Sequence, residues 1–217
     1  MLIQKIDSYY TKNIQARKKI QFYVTDAGKC PRAVYFDFKG YPKKRLEART
    51  MRIFDMGDSV HNRIVSVLFK MGLVRAVEIR IPPQKLISGR ADAILGKDEL
   101  YVLEIKSCSH WKFEKLLEPD SDHIKQLQLY LHFFKIPKGI ILYEDKNTQM
   151  LKEFAIEYDA KFVQRILRKF VLLKKKIEND IVPEIPKDLE KWRCRYCQFS
   201  GSCAEFKKAE KVNTGAK

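Results

Sequence analysis

The segment K-W-R-C-R-Y-C-Q-F-S-G-S-C, residues 191–203, places three cysteines within ten residues of one another. Clustered cysteines of this kind indicate a metal or cluster site, and a tetrahedral zinc or a cubane iron–sulfur cluster takes four such ligands. The fourth ligand must then come from another part of the chain. A fold that meets this requirement has to bring widely separated segments together.

Two further cysteines, Cys30 and Cys108, are available as the fourth ligand. Cys108 follows the strand that carries the acidic motif described below. We expect it to pack there as a small apolar side chain and not to bind the metal. Cys30 precedes Pro31, which suits the first position of a helix, and a helix N-terminus favours the thiolate form that binds metals. We therefore expect Cys30 to complete a set with Cys194, Cys197 and Cys203. Spacing alone does not distinguish an iron–sulfur cluster from a structural zinc.

The charge balance favours a polyanionic partner. The 217 residues include 43 Lys and Arg against 27 Asp and Glu, a formal net charge of +16, and such an excess is typical of nucleic-acid-binding proteins. The sequence has neither an apolar run of transmembrane length nor a secretory signal, so we expect a cytoplasmic protein without a membrane partner. In that reducing compartment the cysteines are expected to be ligands rather than disulfides.

Hydrophobic periodicity predicts an α/β fold. Helical spacing covers about 2–20, 31–40, 50–71, 111–117, 122–134 and 159–179. Strand-like alternation covers about 73–81, 87–95, 100–107, 139–144 and 151–158. We expect a mixed sheet of about five strands flanked by helices in a core at 50–180. A helical lobe built from 1–49 and 181–217 would complete one integrated unit and carry the cysteines.

The motifs G-R-A-D-A-I (89–94) and L-E-I-K-S (103–107) carry the candidate chemistry. Glu104 and Lys106 are two apart on a predicted strand, so both project from one face while Ile105 points into the core. Asp92, on the preceding strand, could join Glu104 in holding Mg²⁺ or Mn²⁺. Lys106 could orient a water or stabilise phosphate charge. The alternative is an ion pair on a solvated hairpin, which Glu104 and Lys106 alone do not exclude.

Two other features favour a metal site. His61, in M-G-D-S-V-H, lies beside an apolar helix stripe; alone it would be read as structural, but with Asp92 and Glu104 it becomes a third ligand. Gln126 and Tyr130 are i,i+4 neighbours on one face of a predicted helix. A long amide and a phenol one turn apart can grip a phosphate or a base edge.

Asp92 and Glu104 can hold one metal only if they share a face of the sheet. Directly paired residues on antiparallel strands share a face, so we expect Asp92 to pair with Glu104 or with a position an even number of residues away. Direct pairing places Gly96 opposite Leu100 and leaves a three-residue loop, 97–99. A two-residue loop without a bulge would put the carboxylates on opposite faces.

Four short motifs in this order, His61, G-R-A-D, E-I-K and Q-L-Q-L-Y, resemble the RecB-like branch of the PD-(D/E)xK nuclease superfamily. The split cysteine set resembles the iron–sulfur staple of that branch. With C-P-R at its front, the chain looks most like the CRISPR-associated Cas-four exonucleases and their virus-encoded relatives. The proline that often precedes the motif's aspartate is absent, and Ala91 stands in its place.

The resemblance implies roles for these residues. The Mn²⁺ or Mg²⁺ ligands would be His61, Asp92, Glu104 and the carbonyl of Ile105. The catalytic residues would be Lys106, Glu104 and Asp92, and the substrate-binding residues would be Gln126 and Tyr130. The resemblance also favours a 4Fe-4S cluster over zinc, on Cys30, Cys194, Cys197 and Cys203, with the physical role of tying the chain ends together.

The implied function is a metal-dependent exonuclease that hydrolyses single-stranded DNA from 5′ ends and trims CRISPR spacer precursors, with CRISPR adaptation proteins among its partners. Three alternatives stay open: a virus-encoded or repair and recombination nuclease of the same type, a non-catalytic DNA-end-binding subunit, and a zinc-stabilised nucleic-acid binder. The basic helix 161–176 would contact phosphates in a nuclease or an end-binding subunit, unless it is merely a solvated face. The sequence does not indicate the oligomeric state.

Overall fold

The computed structural model describes residues 1–12 and 18–214, and the chain divides into two compact units. The first, called here the terminal unit, comprises Met1–Ile20, Lys29–Arg52 and Val171–Lys217. The second, called here the sheet unit, comprises Gln21–Gly28 and Ile53–Phe170. Residues 21–28, expected in the helical lobe, group with the sheet unit.

The strands of the described residues are β1 (Phe22–Tyr23), β2 (Val74–Arg80), β3 (Ile87–Ser88), β4 (Arg90–Leu95), β5 (Tyr101–Cys108), β6 (Lys138–Asp145) and β7 (Leu151–Glu157). A five-stranded sheet has the order β2-β4-β5-β6-β7, in which β5 and β6 are parallel and the other neighbours are antiparallel. The predicted α/β fold with a mixed five-stranded sheet is thus confirmed. Since β5 is the central strand, the motif it carries does not lie on a solvated hairpin.

The helices of the described residues are α1 (Leu2–Lys12), α2 (Pro31–Lys39), α3 (Ala48–Lys70), α4 (His110–Glu114), α5 (Ser121–Phe134), α6 (Ala160–Glu178), α7 (Lys191–Arg195) and α8 (Ser200–Thr214). The helix predicted over 2–20 is present as far as Lys12; residues 13–17 lie outside the described residues, and 18–20 are not helical. Helix α2 starts at Pro31 and ends at Lys39, and the following Gly40, with a left-handed φ of 72°, closes it as predicted.

Among the helices of the described residues, none is both long and apolar enough to cross a membrane.

The strand predicted over 87–95 is broken at Gly89. Its first part, β3, pairs in parallel with β1 in a separate two-stranded sheet, while β4 continues into the large sheet. A Cβ at Gly89 would lie 2.6 Å from a methyl carbon of Val24 and 3.1 Å from the Tyr130 ring. The chain therefore changes sheets at a position where the close approach of neighbours requires glycine.

The pairing of β4 with β5 agrees with the predicted register. Ala93 lies opposite Leu103 and Leu95 opposite Tyr101, which aligns residue 92 with 104 and residue 96 with 100. The connection is therefore the predicted three-residue loop, 97–99. The Arg75 guanidinium supports this loop by donating to the carbonyls of Gly96 (2.6 Å) and Lys97 (3.0 Å).

The apolar core of the sheet unit forms where α3 packs on β4 and β5. Its buried members are Val60, Ile64, Ala93, Leu95, Leu103 and Ile105. Because side chains alternate along a strand, burial of Leu103 and Ile105 against α3 sends Glu104 and Lys106 to the opposite face of β5. There they meet Gln126 of α5.

The terminal unit holds α2 and the cysteine-rich segment together. The Phe36 ring contacts the rings of Tyr41, Phe199 and Phe206, with centroids 4.5, 6.1 and 6.3 Å away. Backbone contacts reinforce this packing: Lys44 N–H donates to the Gln198 carbonyl at 2.7 Å. The two segments that carry the predicted cluster ligands therefore share one apolar core.

We predict that Gly96→Ala strongly destabilises the sheet unit. Gly96 has φ of 130°, and an added Cβ would overlap the carbonyl oxygen of Glu99. We expect the free energy of unfolding to fall by about 2 kcal/mol or more, measured by chemical denaturation.

The matched control is Gly201→Ala. Gly201 lies in α8, and a Cβ there meets nothing within 4 Å, so this change should be neutral or slightly stabilising. If the two variants unfold at the same denaturant concentration, the loop geometry described above is wrong.

Candidate active site

A fork between β4 and β5 forms the centre of the site. The paired ladder ends at Ala93 and Leu103, one position short of Asp92 and Glu104. Beyond that point the Ile105 N–H donates to Asp92 Oδ2 at 2.6 Å instead of to a neighbouring strand. The Asp92 carboxylate thus satisfies the backbone where the strands part, and its second oxygen remains available to other groups.

Helix α3 brings His61 to the fork. His61 Nε2 lies 3.4 Å from Asp92 Oδ1 and 3.8 Å from Glu78 Oε1. The ligand atoms of His61, Glu78 and Asp92 all lie within 4.8 Å of one another, the arrangement of a potential metal site. A nitrogen with two carboxylate oxygens is a donor set that suits Mn²⁺ or Mg²⁺.

Glu78 is a member of this group that the sequence analysis missed. In the β2–β4 register Val77 lies opposite Ala93 and Ile79 opposite Ala91, so position 78 aligns with Asp92. Glu78 has φ of 54°, a left-handed conformation that costs a residue with a side chain on the order of 1–2 kcal/mol. Its signal in the sequence is an acidic residue within the apolar alternation of 73–81.

On the other side of the fork, Glu104 is almost fully buried, with 1% of its surface exposed. The Lys106 ammonium donates to Glu104 Oε1, and Gln126 Nε2 donates to the same oxygen at 2.7 Å. Lys106 also donates to Gln126 Oε1 at 3.3 Å. Burying a carboxylate without a partner costs several kcal/mol. The ammonium of Lys106 and the amide of Gln126 offset this cost by binding one of the two oxygens of Glu104.

Burial shifts the pKa values of these groups. Burial raises the pKa of Glu104 to about 7, although the Lys106 ammonium pulls it down. Burial also raises the pKa of Asp92, against the hydrogen bond from Ile105. For Lys106, burial lowers the pKa, but the charge and hydrogen bond of Glu104 together with the charge of Asp92 raise it above its usual value. A cation bound near Asp92 and Glu104 would favour the charged forms of both carboxylates.

Of the three buried side-chain polar atoms that lack hydrogen-bond partners among the described residues, two belong to this site: His61 Nε2 and Glu104 Oε2. His61 Nε2 is within ion-pair distance of Asp92, but that contact lacks hydrogen-bond geometry. Buried polar atoms are seldom left unsatisfied. Both are ligand atoms that a divalent cation accepts, so the donor set fits Mn²⁺ or Mg²⁺.

Tyr130 lies next to this network but is directed into the protein. Its ring is 1% exposed, its hydroxyl donates to the Arg90 carbonyl at 2.7 Å, and Gln126 Nε2 lies 3.4 Å from that hydroxyl. Burial raises the pKa of Tyr130 well above the usual tyrosine range. In this arrangement Tyr130 contacts Gln126 and the start of β4, and its predicted contact with substrate stays a prediction.

The four cysteines predicted as cluster ligands all belong to the terminal unit. Cys30 immediately precedes α2, and Cys194, Cys197 and Cys203 lie in and between α7 and α8. Burial raises the pKa of Cys197, and the thiols of Cys30, Cys203 and Cys194 add to that rise, as expected for neighbouring sulfurs. Cys108, in contrast, is buried on β5 of the sheet unit.

A family model described as the PD-(D/E)XK nuclease superfamily matches residues 21–204. Among curated proteins, the CRISPR-associated exonuclease Cas4 of Saccharolobus solfataricus is 26% identical over 212 residues, which cover 94% of this chain and 95% of that protein.

Solved structures agree with this match. The crystal structure of SSO0001 is 26% identical with a TM-score of 0.60, covering 92% of this chain and 95% of that one. An alkaline exonuclease (LHK-Exo) from Laribacter hongkongensis, 14% identical, has the same fold with a TM-score of 0.55 over 80% of this chain and 94% of its own. Because the family model spans most of the chain, the protein belongs to the PD-(D/E)XK nuclease superfamily and is a nuclease.

Proposed function

We propose that this protein is a metal-dependent exonuclease that degrades single-stranded DNA from 5′ ends. The observation that carries the proposal is the pair of buried, unpartnered ligand atoms, His61 Nε2 and Glu104 Oε2. His61 Nε2 lies 3.4 Å from Asp92 Oδ1, and Glu104 accepts from the Lys106 ammonium. A divalent metal ion binds both a histidine nitrogen and a carboxylate oxygen, so it is a partner that suits both atoms.

Asp92, Glu104 and His61 would hold the metal, with Glu78 as an additional ligand and the Ile105 carbonyl as predicted from the family resemblance. When bound, the metal would supply Lewis-acid stabilisation of the phosphate and activation of a water. The chain's own contribution is to fix the ligands: the Ile105 N–H holds Asp92, and Lys106 and Gln126 hold Glu104.

Lys106 and Gln126 have a second role in this proposal. The Lys106 ammonium sits between Glu104 and Gln126 on the central strand, where it can stabilise negative charge that develops on the phosphate. Gln126 is nearly buried and has its amide directed at the same carboxylate, so we assign it to orienting Glu104 as well as to substrate. Tyr130 acts through Gln126, by holding it with a buried hydroxyl.

The proposed substrate and context follow from relatives and from charge. The printed name of the Saccharolobus solfataricus relative describes a CRISPR-associated exonuclease, which supports exonuclease action in spacer-precursor processing and CRISPR adaptation proteins as partners. Exposed basic residues on α6, among them Lys161, Arg165, Arg168 and Lys169, support binding to DNA phosphates. The buried stripe of the same helix includes Val163 and Ile166.

A 4Fe-4S cluster on Cys30, Cys194, Cys197 and Cys203 completes the proposal. Four sulfurs around one zinc at about 2.3 Å would lie about 3.8 Å apart. Within the described residues, no three of these thiols lie within 4.8 Å of one another. The family resemblance favours a cubane cluster, in which each sulfur binds a different iron. Its role would be to fasten α2 to the C-terminal segment.

The metal-ligand proposal predicts different losses at two glutamates. Glu104→Gln should abolish cleavage of single-stranded DNA at any practical Mn²⁺ concentration, because the buried carboxylate is lost. Glu78→Gln should raise the Mn²⁺ concentration needed for half-maximal rate, because its side chain is 40% exposed at the edge of the group. Cleavage is followed with 5′-labelled, 3′-labelled and circular single strands, which also report polarity and the need for an end.

Glu99→Gln is the matched control, since Glu99 is exposed and pairs with Lys138 and Tyr101. It should cleave at the wild-type rate. If Glu104→Gln also cleaves at that rate, the observed nuclease activity belongs to another site or protein. If the wild-type protein binds DNA ends tightly without cleaving them, the result would favour the alternative that it is a non-catalytic end-binding subunit.

Lys106→Met should separate charge stabilisation from metal binding. The change keeps the length of the side chain and removes its charge, so we expect the rate to fall by about 10²-fold or more. Isothermal titration with Mn²⁺ should still show binding, because lysine is not a ligand. Loss of metal binding equal to that of Glu104→Gln would instead mean that Lys106 serves to hold Glu104 in place.

The cluster proposal predicts that protein purified without oxygen is brown and contains about four irons per chain. Cys30→Ala should lose the iron and the visible absorbance as completely as Cys197→Ala. Cys108→Ala is the control that should keep both. Colourless protein with one stoichiometric zinc would contradict the assignment of iron.

A further inference from the structure

Trp111 is a large aromatic side chain that the fold leaves 70% exposed. It lies on α4, the short helix that follows β5, five residues after Lys106. Tryptophan contributes most to stability when it is buried, so the fold gains little from Trp111 in this position. The residue is adjacent in the chain to the strand that carries Glu104 and Lys106, and five residues span at most about 17 Å.

Helix α4 is firmly anchored on the side away from Trp111. The Phe113 ring is 1% exposed, and the Lys152 ammonium donates to the Phe113 carbonyl at 2.6 Å while lying 4.5 Å from the centre of its ring. Residues two apart on a helix project to nearly opposite sides. Anchoring of Phe113 therefore directs Trp111 outward.

The start of α4 is also fixed. His110 Nδ1 lies 2.7 Å from Asp145 Oδ2, and the same fully buried carboxylate accepts from the Thr148 hydroxyl at 2.6 Å. The Lys146 N–H donates to the Cys108 carbonyl at 3.0 Å. A side chain on such a fixed support loses little conformational entropy when it binds a partner.

Lys115 places a positive charge beside the Trp111 ring. Its ammonium lies 4.1 Å from the centre of the Trp111 ring, which orients the ring through a cation–π contact. An aromatic surface beside a cation matches the two parts of a nucleotide, the base and the phosphate. Lys106 and Lys112 lie along the same segment, and each is paired with a carboxylate, Lys106 with Glu104 and Lys112 with Asp120 at 2.5 Å.

We propose that Trp111 stacks on an unpaired base of the DNA strand held at the Glu104–Lys106 site, with Lys115 at the phosphate of that nucleotide. This inference rests on the proposed function. In a duplex each base is already stacked and paired, so Trp111 would have no open base to contact. Trp111 would therefore be a determinant of the preference for single strands.

Tryptophan fluorescence tests the contact directly. The chain has two tryptophans, so Trp192→Phe leaves Trp111 as the reporter. In the full-length holoprotein carrying Glu104→Gln and Trp192→Phe, titration with an oligothymidylate should quench Trp111 saturably. The quenching should follow the binding curve obtained from the anisotropy of the labelled oligonucleotide. Binding seen by anisotropy without any change in fluorescence would overturn the proposal.

Should Trp192→Phe prevent folding, the difference between the Glu104→Gln protein and its Trp111→Phe derivative gives the same signal. In that case the quenching must disappear with Trp111→Phe. Equal quenching in both proteins would assign the signal to Trp192 and overturn the proposal.

Kinetics on the active chain give the second measurement. Trp111→Ala should raise KM for single-stranded DNA roughly 5- to 100-fold, the effect of losing one base–aromatic stack, with kcat within about twofold and cleavage of blunt duplex unchanged. Trp111→Phe should restore most of the affinity. An equal loss on single strands and duplex, or no loss, would contradict the inference. Absence of cleavage by the wild-type enzyme would instead overturn the proposed function, independently of the fluorescence result.

Discussion

The hydrogen bond from the Ile105 N–H to Asp92 is the interaction on which the site depends. Two antiparallel strands that separate would leave backbone groups unsatisfied in the middle of a sheet, and such groups are costly. Asp92 satisfies one of them with one oxygen and presents the other to His61. The same carboxylate therefore stabilises the fork and lines it. The central strand stays intact through this opening, because Glu104 of β5 remains paired with Ile141 of β6.

The Glu104 carboxylate, unlike that of Asp92, accepts no hydrogen bond from the backbone of the described residues, and side chains stabilise its charge. It is buried, and the groups that stabilise its charge, Lys106 and Gln126, come from its own strand and from α5. Because these three side chains form one network, removing any one leaves the others with buried charge or unsatisfied polarity. Tyr130 extends the network to the Arg90 carbonyl, which links α5 to the start of β4.

The sequence was informative where local rules are strict. Alternation along β5 and the loop at 97–99 determine the register, because a slip by one residue would move Ile105 out of the core. Glu78 was missed because its left-handed backbone interrupts the alternation of β2, and pattern rules assume regular strands. The break at Gly89 depends on Val24 and Tyr130, which are distant in sequence and meet only in the fold.

The backbone of Glu78 has a consequence for any attempt to improve this protein by directed evolution. Glycine or asparagine tolerates a φ of 54° far better than glutamate. A selection for thermal stability alone should therefore enrich those residues at position 78 and discard the carboxylate. The most stable sequences from such a library would be depleted in members that retain a complete acidic group at the fork, so stability and function must be selected together at this position.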